Sequence, residues 1–515
     1  MAPKDADVLV LDGRGLALAD LVPVLSDSPP RLKIAEEARE RCAASRAVVE
    51  RVLSEGRTVY GVNTGFGRLS GVSISAEQSE ALQRNLILSH ATGVGAPFSI
   101  PVSRLMQCLR IQALLRGNSG VRLELLDRLV LHYNEGLTPV VPQQGSVGAS
   151  GDLAPLAHMA ITLLGMGEVW RNGKRRPAAE AFREHGLEPF ELSAKEGLAL
   201  INGTQCMTAV GVRTWQEASI LVRTADIAAA FSLEALRGSI QPFRPEVHEA
   251  RGQEGQMRTA SNLRLLLEDS EILPSHADCE KVQDPYSLRC VPQVHGAVRD
   301  ALSFVEDVLA REVNAATDNP LVFADGSIIS AGNFHGQPVA QALDFLGIAI
   351  ATLANISERR IENMVNPDLS GLPPFLAPNP GLDSGLMIPQ VVAASLASEN
   401  KSLAHPASVD TIPTSANRED HVSMGVTAAR QARDIARNTA RVLGIELLCA
   451  AQGLSFDRAL RAGRGVEAAY AAVREVVPPL EQDRFLAPDL EAAEGLVRSG
   501  VLLRAVEREV GPLAD

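Results

Sequence analysis

From about residue 206 onward the chain repeats one kind of segment: long, alanine-rich runs at 206–238, 294–316, 338–364, 386–402 and 422–452, apolar over wide faces. A helix that is apolar nearly all the way round has to be enclosed by other helices. Several such runs therefore predict a bundle with a buried central helix, and a fold that is mainly α. The first 200 residues read differently. Val8–Leu11, followed by Asp12-Gly13, predicts a short strand and turn. Residues 31–55 predict an amphipathic helix with Ile34, Ala38, Val48, Val49, Val52 and Leu53 on its apolar side and Gly56 after its end. Within the helical part, Leu321 to Ile329 predicts a β-hairpin turning at Asp325-Gly326, and the Pro/Gly-rich stretch 366–385 predicts a loop. No period of 20–50 residues recurs, which argues against a repeat protein. The expected division is a mixed N-terminal region, 1–205, and a long-helix bundle domain, 206–515.

Composition narrows the classes of function. A chain of 515 residues with 46% apolar and 22% charged residues is neither disordered nor a small disulfide scaffold. Its net charge of −13 argues against a nucleic-acid partner or an anionic membrane surface, and for small molecules. The cysteines, at 42, 108, 206, 279, 290 and 449, form no C-x-x-C pair and read as thiols of a reducing compartment. The N-terminal residues lack the basic-then-apolar layout of a signal peptide. The apolar stretch Phe345 to Ile356, bounded by Asp344 and broken by Asn355, is too short to span a bilayer. A cytoplasmic protein is expected.

Several polar residues do not fit a core. Only four tyrosines occur, and two of them, Tyr60 and Tyr286, sit among small and polar residues rather than in apolar periodic runs, which makes them candidates for chemistry or ordinary loop tyrosines. Gln283, Tyr286 and Arg289 share a face if their segment is helical. Arg289 then suits a carboxylate, or a surface ion pair. Asn202, after an apolar run and before Gly203, suits a helix end or turn. His90 ends the helical pattern Leu82–Leu88 and reads as structural or as a ligand-facing group. The clusters around Asn333-Phe334-His335 and Glu419-Asp420-His421 hold metal-capable groups without metal-ligand spacing, so no metal is expected. Neither a phosphate-binding G-x-x-x-x-G-K-[ST] nor a G-x-S-x-G elbow is present. The Gly-rich segments are not set in βαβ units. None of the six lysines sits in a convincing Schiff-base setting.

One triplet supplies chemistry of its own. In Ala149-Ser150-Gly151 the Gly151 amide nitrogen can attack the Ala149 carbonyl carbon and close a five-membered ring. Loss of two waters, one of them carrying the Ser150 hydroxyl, leaves an electron-poor exocyclic methylidene. Glycine lets the turn close, serine supplies the leaving hydroxyl, and alanine is small. By chance the triplet should occur in roughly one chain in four of this length, so its setting carries the signal. That setting, Gly145-Ser-Val-Gly-Ala-Ser-Gly-Asp-Leu-Ala-Pro-Leu-Ala-His158, resembles the aromatic amino acid ammonia-lyases, which act on histidine, phenylalanine or tyrosine through a methylidene-imidazolone (MIO) electrophile. Tyr60-Gly-Val-Asn-Thr-Gly-Phe-Gly67, Leu200-Ile-Asn-Gly-Thr204, Gln283-Asp-Pro-Tyr-Ser-Leu-Arg289 and Gly332-Asn-Phe-His-Gly336 are similar to further family blocks, in family order.

The resemblance implies an ammonia-lyase/fumarase-like helical bundle, an MIO formed autocatalytically from Ala149, Ser150 and Gly151 with no external cofactor, and a homotetramer with shared active sites. Ser89-His90 matches the histidine branch of the family, as does Thr414 to Met424 with its Glu419. That branch eliminates ammonia from L-histidine to give trans-urocanate, the first step of histidine degradation. A histidine and a glutamate can both hydrogen-bond an imidazole ring. A tyrosine or phenylalanine lyase or aminomutase, and a non-catalytic scaffold, are the other readings. The implied roles place Tyr60 as a base, Tyr286 in proton handling and Arg289 on the substrate carboxylate. Asn202 and Gln283 orient the amine or the electrophile, Phe334 packs near the ring, and His90 with Glu419 grips the imidazole. Arg418 stands where glutamine is expected, and pairing with Glu419 would weaken that acid as a base.

Overall fold

The computed structural model describes residues 8–65, 74, 78–276 and 282–515. Cys279 and the Phe66-Gly67 end of one block lie outside them. Long helices occupy the expected runs, at Gln205–Ala235, Val291–Glu312, Gln337–Val365, Met387–Leu403 and Gly425–Ser455. The helix Gln337–Val365 is long and apolar enough by composition to cross a membrane, longer than its apolar centre suggested, and 72% of its most apolar window is buried inside the protein. A core helix meets the same compositional test.

The chain divides into two compact units, each made of three stretches of sequence, where one boundary after residue 205 was expected. The first comprises Met1–Arg213, Glu306–Asp344 and Pro406–Arg430; the second comprises Thr214–Val305, Phe345–His405 and Gln431–Asp515. Two later stretches thus belong with the mixed N-terminal region.

In the first unit, Val8–Leu11 is a strand as expected, but residues 31–55 are not one helix. Arg31–Ile34 forms a second strand, parallel to the first with Leu11 opposite Ile34, and the helix begins after it as Glu36–Ser54. Residues 31–34 alternate exposed and buried, the period of a strand, which places Leu32 and Ile34 inward. The helix Ile100–Leu114 buries 12 of its 15 residues, Arg110 among them. That guanidinium donates to Gln205 Oε1 at 2.7 Å, to the Thr317 carbonyl at 3.1 Å and to the Ala199 carbonyl. Burial pushes its pKa down to about 10. Lys195, at the head of the helix Glu196–Ile201, forms a fully buried ion pair with Asp318 at 2.7 Å. The hairpin is present, Leu321–Val322 pairing antiparallel with Ile328–Ile329.

The second unit carries its own buried charges. Arg360 meets Glu446 through two hydrogen bonds, at 2.5 and 2.8 Å, with both side chains fully buried, and Ser232 donates to the same carboxylate at 2.7 Å. Asp226 accepts from Arg299 at 2.7 Å and from His295 Nδ1 at 2.8 Å. These contacts tie the helix Gln205–Ala235 to Gly425–Ser455 and Val291–Glu312, and Gln337–Val365 to Gly425–Ser455, by directional bonds. The 366–385 stretch is a loop interrupted by the short turns Pro367–Ser370 and Pro374–Leu376.

Replacing Glu446 by alanine strands the buried Arg360 guanidinium and is expected to cost about 3–5 kcal/mol. Denaturant or thermal unfolding measures the loss. The exposed pair Arg461–Glu271 is the control, and Arg461→Ala should leave the transition midpoint unchanged.

Candidate active site

The first unit brings together two backbone segments, one bearing the triplet and one bearing Asn202-Gly203. Gly151 has φ +73°, and a Cβ placed on it would lie 2.2 Å from the Gly203 carbonyl oxygen. A Cβ on Gly203 would in turn lie 2.2 Å from the Arg110 guanidinium. No side chain fits at either position. The two glycines form a bridge, and the Asp152 N–H donates to the Gly203 carbonyl at 2.7 Å. Asn202 ends the helix Glu196–Ile201, and its side-chain amide donates to the Ser150 carbonyl at 2.7 Å. It is both helix end and site residue.

The triplet is held from other directions as well. Ser423 Oγ donates to the Gly148 carbonyl at 2.9 Å, and the Met424 N–H donates to the Val147 carbonyl at 2.8 Å. Asp152, fully buried, accepts from Ser146 Oγ at 3.0 Å and from the Met207 N–H at 2.9 Å. Burial pushes its pKa up to about 7, against the pull of those donors. Close to it, Glu312 accepts from Thr204 Oγ1, and burial raises its pKa too.

A cavity of about 560 Å3 opens over Ser150, and Tyr60, His90, Asn202, Phe334 and Glu419 line it. Ser150 Oγ donates to Glu419 Oε1 at 2.5 Å, and Thr414 Oγ1 donates to Oε2 at 2.6 Å. Arg418 is exposed and makes no ion pair among the described residues, so it does not hold the Glu419 carboxylate. His90 closes the helix Ser79–His90, with Nδ1 2.8 Å from the Leu86 carbonyl. A carbonyl only accepts, so Nδ1 carries the proton and the Nε2 lone pair is left for a ligand. Burial lowers the His90 pKa, although the Leu86 carbonyl and Glu419 oppose it, and the ring stays neutral at pH 7.

The same helix gives the cavity more than His90. Leu82, Asn85, Leu86, Ser89 and His90 all line it, a stripe at helical spacing. Asn319 and Ser415 also line it, and neither was singled out in the sequence. The polar residues of the stripe were visible there as breaks in an apolar helix face; Asn319, before Pro320, looked like any turn asparagine.

Gln283, Tyr286 and Arg289 are not in this lining. They belong to the second unit, and the helical face expected for all three is shortened, because the helix runs only from Tyr286 to Arg289. Gln283 precedes it and lines a separate cavity with Ser239 and His276. Tyr286 is 71% exposed, and the Arg289 guanidinium lies 4.5 Å over its ring. No group of three or more metal-ligating side chains is found among the described residues.

A mainly helical fold holds a glycine crossing beside a serine loop that opens onto the Ser150 cavity, a setting in keeping with the lyases that act on aromatic amino acids. The sequence profile of the family described as aromatic amino acid lyase matches residues 16–475, and the chain belongs to that family. A histidine ammonia-lyase of Symbiobacterium thermophilum is 57% identical over 502 residues, covering 97% of this chain and 99% of that one. Among solved structures, the histidine ammonia-lyase of Trypanosoma cruzi matches with a TM-score of 0.91 at 44% identity, over 98% of this chain and 96% of that one. The tyrosine aminomutase of Streptomyces globisporus matches with a TM-score of 0.93 at 38% identity, over 98% and 100%. Backbone similarity therefore does not separate the substrates.

Asp152 makes stability depend on pH. Its native pKa of about 7 stands above the ordinary 3.8, so the folded chain holds a proton that the unfolded chain releases. That contribution is complete below pH 3.8 and is lost as pH rises to about 7. Asp152→Asn can keep both hydrogen bonds without titrating. Between pH 5 and 7 the wild type should lose stability relative to this variant by about 2–3 kcal/mol, at about 1.4 kcal/mol per pH unit. Paired unfolding curves across that range measure the difference.

Proposed function

We propose that the chain eliminates ammonia from L-histidine to give trans-urocanate, using an MIO made from Ala149, Ser150 and Gly151. The observation that carries the reading is that His90 and Glu419 line one cavity with Ser150, whose hydroxyl meets the Glu419 carboxylate. The residues present fit the group. Gly151 has the left-handed backbone and the missing Cβ that a tight ring against Gly203 requires, and Asn202 holds the Ser150 carbonyl. The MIO supplies an electron-poor carbon that makes the substrate amine a better leaving group.

The chain's own residues do the rest. His90 Nε2 accepts from a ring N–H of the substrate. Once the Ser150 hydroxyl is gone, Glu419 Oε1 loses its partner and faces the same ligand. Tyr60 takes the β-proton onto its phenolic oxygen, and Phe334 packs against the ring. Arg289 binds the carboxylate and Tyr286 assists proton handling, both coming from another copy of the chain in a homotetramer. The exposure of Tyr286 and its absence from the cavity lining support a shared site. The reaction is placed in the cytoplasm, in keeping with the free thiols of Cys42, Cys108, Cys206, Cys290 and Cys449.

Incubation with L-histidine should build the ultraviolet absorbance of a conjugated imidazolyl acrylate, with none from Ser150→Ala. Absorbance with L-tyrosine or L-phenylalanine instead would move the substrate assignment. Silence with all three, in a folded protein, would leave a scaffold.

Sharing of the site has its own test. Ser150→Ala and Arg289→Ala are each expected to be inactive, yet co-expression should restore a measurable fraction of activity, because mixed tetramers contain some sites with both residues intact. No recovery in demonstrably mixed oligomers would refute shared sites.

A further inference from the structure

Glu419 has a relation to Ser150 that no contact with substrate explains. Ser150 Oγ donates to Glu419 Oε1 at 2.5 Å. The carboxyl is clamped at its other oxygen by Thr414 Oγ1 at 2.6 Å, and reciprocal backbone hydrogen bonds join Thr414 and Glu419 at 2.9 and 3.3 Å. Ser150 is fixed independently, by Asn202 on its carbonyl and by the crossing of Gly151 with Gly203. Acid and hydroxyl are thus positioned from two sides. Asp152, the other carboxyl beside the triplet, has its two oxygens engaged by Ser146 and Met207. No basic side chain forms an ion pair with Glu419 among the described residues.

We propose that Glu419 is the general acid that removes the Ser150 hydroxyl while the electrophile forms, a role completed before any substrate binds. Hydroxide leaves poorly from carbon, and a positioned carboxylic acid is the ordinary remedy. Ring closure between the Gly151 nitrogen and the Ala149 carbonyl carbon releases one water. In the second loss, a proton taken up from solvent on Glu419 Oε1 turns the hydrogen bond with Ser150 around and passes to Oγ, and the Cβ–Oγ bond breaks with its electrons passing to oxygen. The Cα–H pair forms the Cα=Cβ bond, and that proton passes to solvent, so the net change is one water lost and the Glu419 carboxylate restored. The inference rests on the electrophile reading above, and intact mass separates the two without reference to turnover.

The experiment compares intact masses of the wild type, Glu419→Gln, Thr414→Val and Arg418→Ala, each checked for native fold by circular dichroism and size exclusion. Wild type and Arg418→Ala are expected to be lighter than their sequences by two waters. Glutamine keeps the size of the acid but cannot deliver its proton, so most of Glu419→Gln should retain the Ser150 hydroxyl. Loss of both waters from Glu419→Gln to the wild-type extent overturns the proposal and leaves the electrophile intact. Should Glu419→Gln not fold, Thr414→Val decides, with a retained hydroxyl supporting the acid and complete loss overturning it. A wild type that has lost no water overturns the electrophile reading and this inference with it.

Discussion

Gly151 and Gly203 cross with no room for a single carbon between them, and everything chemical in the first unit is arranged around that crossing. One glycine ends the reactive triplet. The other follows the asparagine that holds the Ser150 carbonyl. Their contact fixes the serine relative to Asn202, while the Asp152 N–H ties the two segments together and Asp152 itself begins the helix Leu153–Ala160. A backbone-to-backbone contact has no rotamers to lose, so it can hold a strained loop without added side-chain entropy. The same absence of side chains makes it intolerant, because a Cβ on Gly151 must displace main chain and one on Gly203 must displace the buried ends of Arg110 and Gln205.

Beneath the crossing, charge does work that apolar packing cannot. Arg110 reaches three separate segments at Ala199, Gln205 and Thr317, and Lys195 joins Asp318 beside them. Buried pairs of this kind add little net stability, since desolvation offsets the attraction. They are directional, however, and an apolar core is not. The result is that the segments bearing Asn202 and Asn319 are set by hydrogen-bond geometry rather than by apolar packing.

The long helices were legible because their periodicity persists for tens of residues and does not depend on a partner. The Arg31–Ile34 strand was not, because four residues carry too short a pattern and their parallel partner Val8–Leu11 lies across a crossover connection. The triplet was legible as chemistry, since ring closure needs only neighbouring residues. Its union with Glu419, 269 residues away, follows from 306–344 and 406–430 folding with the first unit, and no local signal announces that. Arg289 and Tyr286 were recognisable as a motif, but they belong to the second unit and are not among the residues that line the cavity, which spacing along the chain does not encode.

The helix Ser79–His90 forms a cavity wall whose side chains can change without moving main chain. A histidine ammonia-lyase and a tyrosine aminomutase share this backbone, so the backbone alone does not select the substrate. Leu82, Asn85, Leu86, Ser89 and His90 present such a stripe. The stripe is separate in sequence from both glycines, and substitution along it alters size and hydrogen-bonding character while leaving the crossing untouched. His90 illustrates the economy of the device. Its ring is oriented by the Leu86 carbonyl one turn back, a main-chain group that persists whatever side chain residue 86 carries. The hydrogen-bonding character that His90 turns to the cavity is therefore set by the helix backbone.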